Sequence, residues 1–124
     1  MSWQAALWKA TRSLLALASA GVVLVAGTIA SGELAALLRL PSGGDGRLAW
    51  DLSGVILAGT LAFWVATRAA PTAPRGHARV LLVAMAALAL WAVLELGADH
   101  PLWFRAGLLL SLPLQYLAGT RAAR

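Results

Sequence analysis

The chain alternates long uncharged apolar runs with short polar breaks. Ser13–Gly32 carries no charge over 20 positions, the length at which a helix crosses the hydrocarbon of a bilayer. Leu48–Thr67 repeats that length and is interrupted only by Asp51, about one turn in from its start. The third run is Val80–Ala98. Only 15 residues, Val80–Leu94, precede Glu95, so this acid is expected within the outer part of the membrane. Leu102–Ala118 is the fourth run, with Arg105 near its start and Pro113 inside it. A proline there lacks an N–H for the carbonyl of Leu109, which predicts a bend. The pattern predicts helices at about 13–32, 48–67, 80–98 and 102–118.

Three breaks separate these runs. Glu33–Arg47 begins ELAALLRL, which either extends the first helix or lies along the interface before Pro41 and Gly43-Gly44 stop it. Thr67–Arg79, TRAAPTAPRGHAR, is short, polar and basic, and is the pivot of the chain. Gly97–Pro101 is tight. Asp99 or His100 is expected to cap the fourth helix, and Pro101 suits its first turn. The expected fold class is all-α: an integral membrane four-helix bundle, built as two antiparallel transmembrane hairpins within a single transmembrane domain spanning 1–124. A signal peptide ending at Thr28-Ile29-Ala30 fits the first run less well. Its apolar stretch is long for a signal, and three remaining runs pair less neatly.

Composition supports lipid as the solvent. Hydrophobic residues make up 60% of the 124 and charged ones 12%, about half the charged share usual for a soluble domain. The net charge of +5 is explained by topology rather than by nucleic acid. The basic residues flank the apolar runs and form no basic face, so no nucleic-acid partner is expected. With a cytoplasmic amino terminus, that side holds Lys9, Arg12, Arg68, Arg75, Arg79, Arg121 and Arg124, and the outer side Arg39, Arg47 and Arg105. Seven against three predicts both termini inside. All five acids fall on the outer side. Trp3, Trp8, Trp64 and Tyr116 mark an inner aromatic belt; Trp50, Trp103 and Phe104 mark an outer one. Nine of the ten basic residues are arginine and alanine is abundant. That composition is typical of GC-rich bacterial genomes, so the expected location is the bacterial cytoplasmic (inner) membrane.

Candidate chemistry is sparse. The chain has no cysteine, which removes disulfides, thiolate metal sites and dithiol redox relays. Neither His77 nor His100 falls mid-helix, so no haem ligand pair exists in the bundle. No nucleophile elbow, phosphate-binding glycine loop or HExxH motif occurs, and no enzymatic activity or cofactor is expected. Gln115 and Tyr116, near the inner end of the fourth run, either line a cavity or, the plainer expectation, serve packing or interfacial anchoring. One charged constellation stands out. Glu95 and Arg105 are each five residues from His100, which places them at equal depth across a tight turn, with Asp51 near the same level. The plainer expectation is a Glu95–Arg105 ion pair stapling the second hairpin, with Asp51 capping the second helix. The other is an outward-facing cation or proton site built from Glu95 and Asp51 with Glu33, Asp99 and His100.

Gly54, Ala58 and Ala62 recur every four residues, a small-residue stripe suited to close helix contact. Together with short loops and uncharged central thirds of every run, this points to an accessory or scaffolding subunit of a larger membrane assembly, or a homo-oligomer. Its expected partners are the lipid bilayer and a protein, or a second copy, met through small-residue helix faces. The alternative is a small oligomeric cation- or proton-coupled transporter or channel using the acidic site.

Overall fold

The structure is a computed structural model and describes residues 2–124, with the side chain of Ala98 left aside. Four helices account for most of it: α1 Trp3–Leu37, α2 Asp45–Ala69, α3 Pro74–Leu96 and α4 Leu102–Ala122. A single 3-10 turn, Gly97–Asp99, joins α3 to α4. α1, α2 and α3 are long and apolar enough to cross a membrane. α4 has 21 residues, but Arg105, Ser111, Gln115, Thr120 and Arg121 dilute its apolar character. Three helices thus have the length and apolarity to cross a membrane, one fewer than the run pattern predicts.

The helices overrun the predicted limits because their ends are set by local hydrogen bonding. The expected head Met1–Arg12 is already helical from Trp3, where the Ser2 hydroxyl accepts from Ala5 N at 3.3 Å as an N-cap. At the far end α1 runs through Glu33 to Leu37, so the front of the expected first loop extends the helix. Arg39, at φ 57°, then takes the left-handed position that glycine usually fills. Arg39 N donates to Ala36 O at 3.0 Å and Leu40 N to Ala35 O at 3.1 Å, closing the helix two residues ahead of Pro41. The basic loop shrinks to Ala70–Ala73, since α2 continues to Ala69 and Pro74 opens α3. Arg75, His77 and Arg79 thus stand on the first turns of α3. α3 stops at Leu96 because Gly97 adopts φ 55°, ψ −146°, backbone angles that only glycine holds without strain. The N-cap of α4 is Pro101, with no side-chain cap; neither Asp99 nor His100 fills that role. α4 continues through Pro113 to Ala122.

α2 is the central helix. It packs most extensively against α1 and α4 and less against α3, while α3 lies about equally on α4 and α2. Small residues permit this. Ala20, Ala62, Ala66 and Ala78 are fully buried, with Phe63, Leu81, Met85 and Leu112 around them. The Phe63 ring meets Tyr116 edge-on at 5.6 Å. Glycines mark the closest approaches. Gly27 of α1 lies against Ala58 of α2, and Gly54 of α2 against the Ser31 side chain. A Cβ on Gly119 of α4 would stand 2.5 Å from Thr60 O and 2.6 Å from the Phe63 Cβ. The expected stripe Gly54, Ala58, Ala62 is thereby consumed inside the chain: Gly54 and Ala58 by α1, and Ala62 within the core.

These contacts predict opposite outcomes for two glycine substitutions. Gly119→Val is expected to lower the melting temperature in detergent, equivalent to about 1–3 kcal/mol, because backbone atoms cannot yield to the added methyls. Gly21 has nothing within 4 Å of a built Cβ, so Gly21→Ala leaves stability unchanged or raises it by a few tenths to about 1 kcal/mol. Equal effects of the two would show that the α2–α4 contact is not close.

Candidate functional site

The charged residues singled out from the sequence do not pair with one another in the fold. Asp51 accepts from Arg47 Nε at 3.0 Å, one turn earlier on the same helix. This is the only ion pair among the described residues, and both side chains remain partly exposed. Asp51 does not cap α2; the N-cap is Gly44, and Asp45 supplies the acid of the first turn. Arg105 does not pair with Glu95. Its Nε donates to the His100 carbonyl at 3.2 Å, and the side chain lines an apolar groove with Val93, Leu102 and Leu109. Glu95, Asp99 and Glu33 are exposed. The half-buried His100 ring packs on Phe104 with centroids 5.6 Å apart, and its Nδ1 has no hydrogen-bond partner. Among the described residues no three His, Asp or Glu side chains converge as metal ligands would.

Equal depth brought no contact because height along a helix does not set direction around it. Each residue turns the helix by about 100°. Glu95 faces outward from α3, whereas Arg105 turns back over its own N-terminal turn.

The better-knit cluster at this end of the bundle involves residues that sequence reasoning treated only as boundary markers. Trp50 Nε1 donates to the Ser31 carbonyl of α1 at 2.8 Å, a side chain bridging two helices. Arg47 reaches the same stretch: its Nη2 would stand 3.7 Å from a Cβ on Gly32. The Arg47–Asp51 spacing of four residues was visible in the sequence. It became meaningful only once α2 was seen to start at Asp45.

A second polar feature lies deep in the core, as a packing role for Gln115 implies. Gln115 is fully buried between α2, α3 and α4. Its Nε2 donates to Ser111 Oγ at 3.0 Å, while Oε1 has no partner and presses on Gly59, with the Met85 methyl alongside. The contact stands at the Cα of Gly59, where any Cβ would overlap the amide oxygen.

Two grooves flank the exposed edge of α2. One, of about 420 Å³, runs between α1 and α2 past Gly27, Ser31, Trp50 and Gly54. The other, of about 490 Å³, lies between α2 and α4 past Thr60, Gly119 and Ala122. Leu57 and Leu61 belong to both, and stand as a ridge between them. Compared with known families, curated proteins and solved structures, the chain matches no family model, no curated protein and no solved structure.

The arrangement predicts which polar group holds this end together. Trp50→Phe keeps the ring's bulk but loses the bond to Ser31, and is expected to cost about 0.5–1.5 kcal/mol in a detergent unfolding series. Glu95→Gln, which removes an exposed and unpaired charge, is expected to stay within about 0.5 kcal/mol of the parent. The reverse order would restore Glu95 as a structural residue.

Proposed function

We propose that this is a small multi-pass protein of the bacterial cytoplasmic membrane whose role is to dock a transmembrane helix, as an accessory or scaffolding subunit or within a homo-oligomer. The observation that carries this reading is the exposed face of α2. Ser53, Leu57, Leu61 and Trp64 are exposed along it at helical spacing, between two grooves of comparable size. A ridge with a groove on each side is the surface into which another helix interlocks. Gly54, Ala58 and Gly119 at the groove floors are already packed within the chain, so the interlock rests on the Leu57–Leu61 ridge and the shape of the grooves beside it.

The proposed topology is two antiparallel hairpins with both termini cytoplasmic. Contact order supports it: Gly27 meets Ala58 and Ser31 meets Gly54, so numbers rise on α1 as they fall on α2. Leu52 meets Gly107, Gly59 meets Gln115 and Phe63 meets Gly119, so α2 and α4 run together. Alternating up and down gives that relation. α4 serves as a fourth span because Ser111, Gln115 and Thr120 are turned inward, while Leu110, Leu114 and Leu117 face out. The alternative, a cation- or proton-coupled transporter or channel with an outward-facing acidic site, lacks a supporting arrangement. Glu95 and Glu33 are exposed and Asp51 is matched by Arg47.

The absence of cysteine makes the test direct. Leu57→Cys and Leu61→Cys, labelled in native membranes with a short linker that is thiol-reactive at one end and photoreactive at the other, are expected on irradiation to give one discrete adduct. Twice the mass means a second copy, and any other fixed mass a partner subunit. Leu94→Cys, equally exposed but on α3, is expected to give none. No adduct at either α2 position would remove the docking face. Topology is read separately: reporters fused after Arg124 and within Gly43–Asp45 are expected in opposite compartments.

A further inference from the structure

A cavity of about 390 Å³ opens where α2 ends, α3 begins and α4 ends. Its size falls within the range of small-molecule sites, about 300–1,000 Å³. Arg75, Arg121 and Arg124 line it, with the Tyr116 ring and Leu117. No Asp or Glu side chain contributes to its wall, and the chain's ion pair among the described residues lies elsewhere, at Arg47–Asp51. Three exposed arginines around one hollow, with no acid among them, leave a net positive charge there that favours an anion. Thr67 and Thr120, also in the wall, donate their hydroxyls to Phe63 O and Tyr116 O at 2.7 Å each. The donors left for a ligand are therefore the guanidiniums and the Tyr116 phenol. The first turn of α3 borders the cavity through Pro74 and Arg75, and the Arg75 N–H, in that turn, has no acceptor one turn back.

We propose that this cavity holds the phosphate of an anionic phospholipid. Arginine matches phosphate oxygens through paired, charge-assisted hydrogen bonds, and basic pockets between helices at a membrane surface take acidic headgroups. The choice of a lipid over a free phosphate rests on the surface leading to the cavity. Leu110, Leu114 and Leu117 are exposed on α4 at helical spacing and lead to Arg121 one turn further. An acyl chain laid along these leucines brings its headgroup to the three arginines. The site is independent of the docking face on α2, which it does not share.

The test uses the full chain purified in a neutral detergent. Dioleoyl phosphatidylglycerol, added at increasing mole fraction, is expected to raise the melting temperature and to remain bound in native mass spectrometry. Dioleoyl phosphatidylcholine, with the same phosphate but no net charge, is expected to do neither. Each of Arg75→Gln and Arg121→Gln is expected to weaken phosphatidylglycerol binding about tenfold. Arg121→Lys keeps the charge but loses the fork, and is expected to fall between. Arg12→Gln, in a guanidinium that stands over Trp8 and outside the cavity, is expected to bind as the parent does. Equal stabilisation by the two lipids would overturn the proposal, and that comparison needs no variant to fold. So would an equal loss in Arg12→Gln, which would mean diffuse surface charge. Saturating stabilisation by millimolar inorganic phosphate alone would assign the cavity to a soluble anion and reject the lipid.

Discussion

The structure depends on how closely α2 lets other backbones approach it. Between helices in lipid, apolar surface gains nothing by leaving its surroundings, because acyl chains are as apolar as leucine. Contact must come from dispersion and a few hydrogen bonds, and both need short distances. Glycine and alanine supply those distances at Gly27 with Ala58, Gly54 with Ser31 and Gly119 with Phe63. Larger side chains then fill what remains, with Phe63 fully buried and set edge-on to Tyr116. The Trp50 bond to the Ser31 carbonyl adds a directional link where α1 passes over α2.

Gln115 shows the same logic with a polar group. An amide deep among helices is costly unless it is bonded. Here one half is satisfied by Ser111 and the other lies on the bare Cα of Gly59. A Cα–H against a carbonyl oxygen is a weak hydrogen bond, and it exists only where the partner has no side chain. The amide therefore fits α2 at one position. Moving α4 by a turn would press Oε1 against Ala62 or Val55 in place of Gly59, so the pair fixes the register between the two helices.

The apolar runs were legible because uncharged length is a property of the sequence alone, and three of the four have the length and composition of spans. Their ends were not. α1 closes on Arg39 in a left-handed conformation, which no propensity singles out for arginine. α3 begins at Pro74, and so moves Arg75 and Arg79 from a loop onto a helix. The expected Glu95–Arg105 pair is not formed, for a related reason. Counting outward from His100 suggests that Glu95 and Arg105 meet, but Glu95 is exposed and the Arg105 guanidinium is engaged by the His100 carbonyl of its own turn. In the sequence, the arginines at the opposite end mark only topology. That they share one cavity required α2, α3 and α4 to be seen ending or starting together.

The 35 residues of α1 have a mechanical consequence. At about 1.5 Å per residue this rod is about 52 Å long, against a hydrocarbon slab about 30 Å thick. Even leaning by 40°, the upper end of common tilts, it projects about 40 Å along the normal. About 10 Å must then stand outside the slab, in headgroups or water. The Trp3–Arg12 segment, with Arg12 over the Trp8 ring, is chemically suited to that wet overhang. Bilayer thickness becomes an input to the protein: a thinner slab steepens the lean or lengthens the overhang, and α2, fastened to α1 at Gly27 and Ser31, is carried with it.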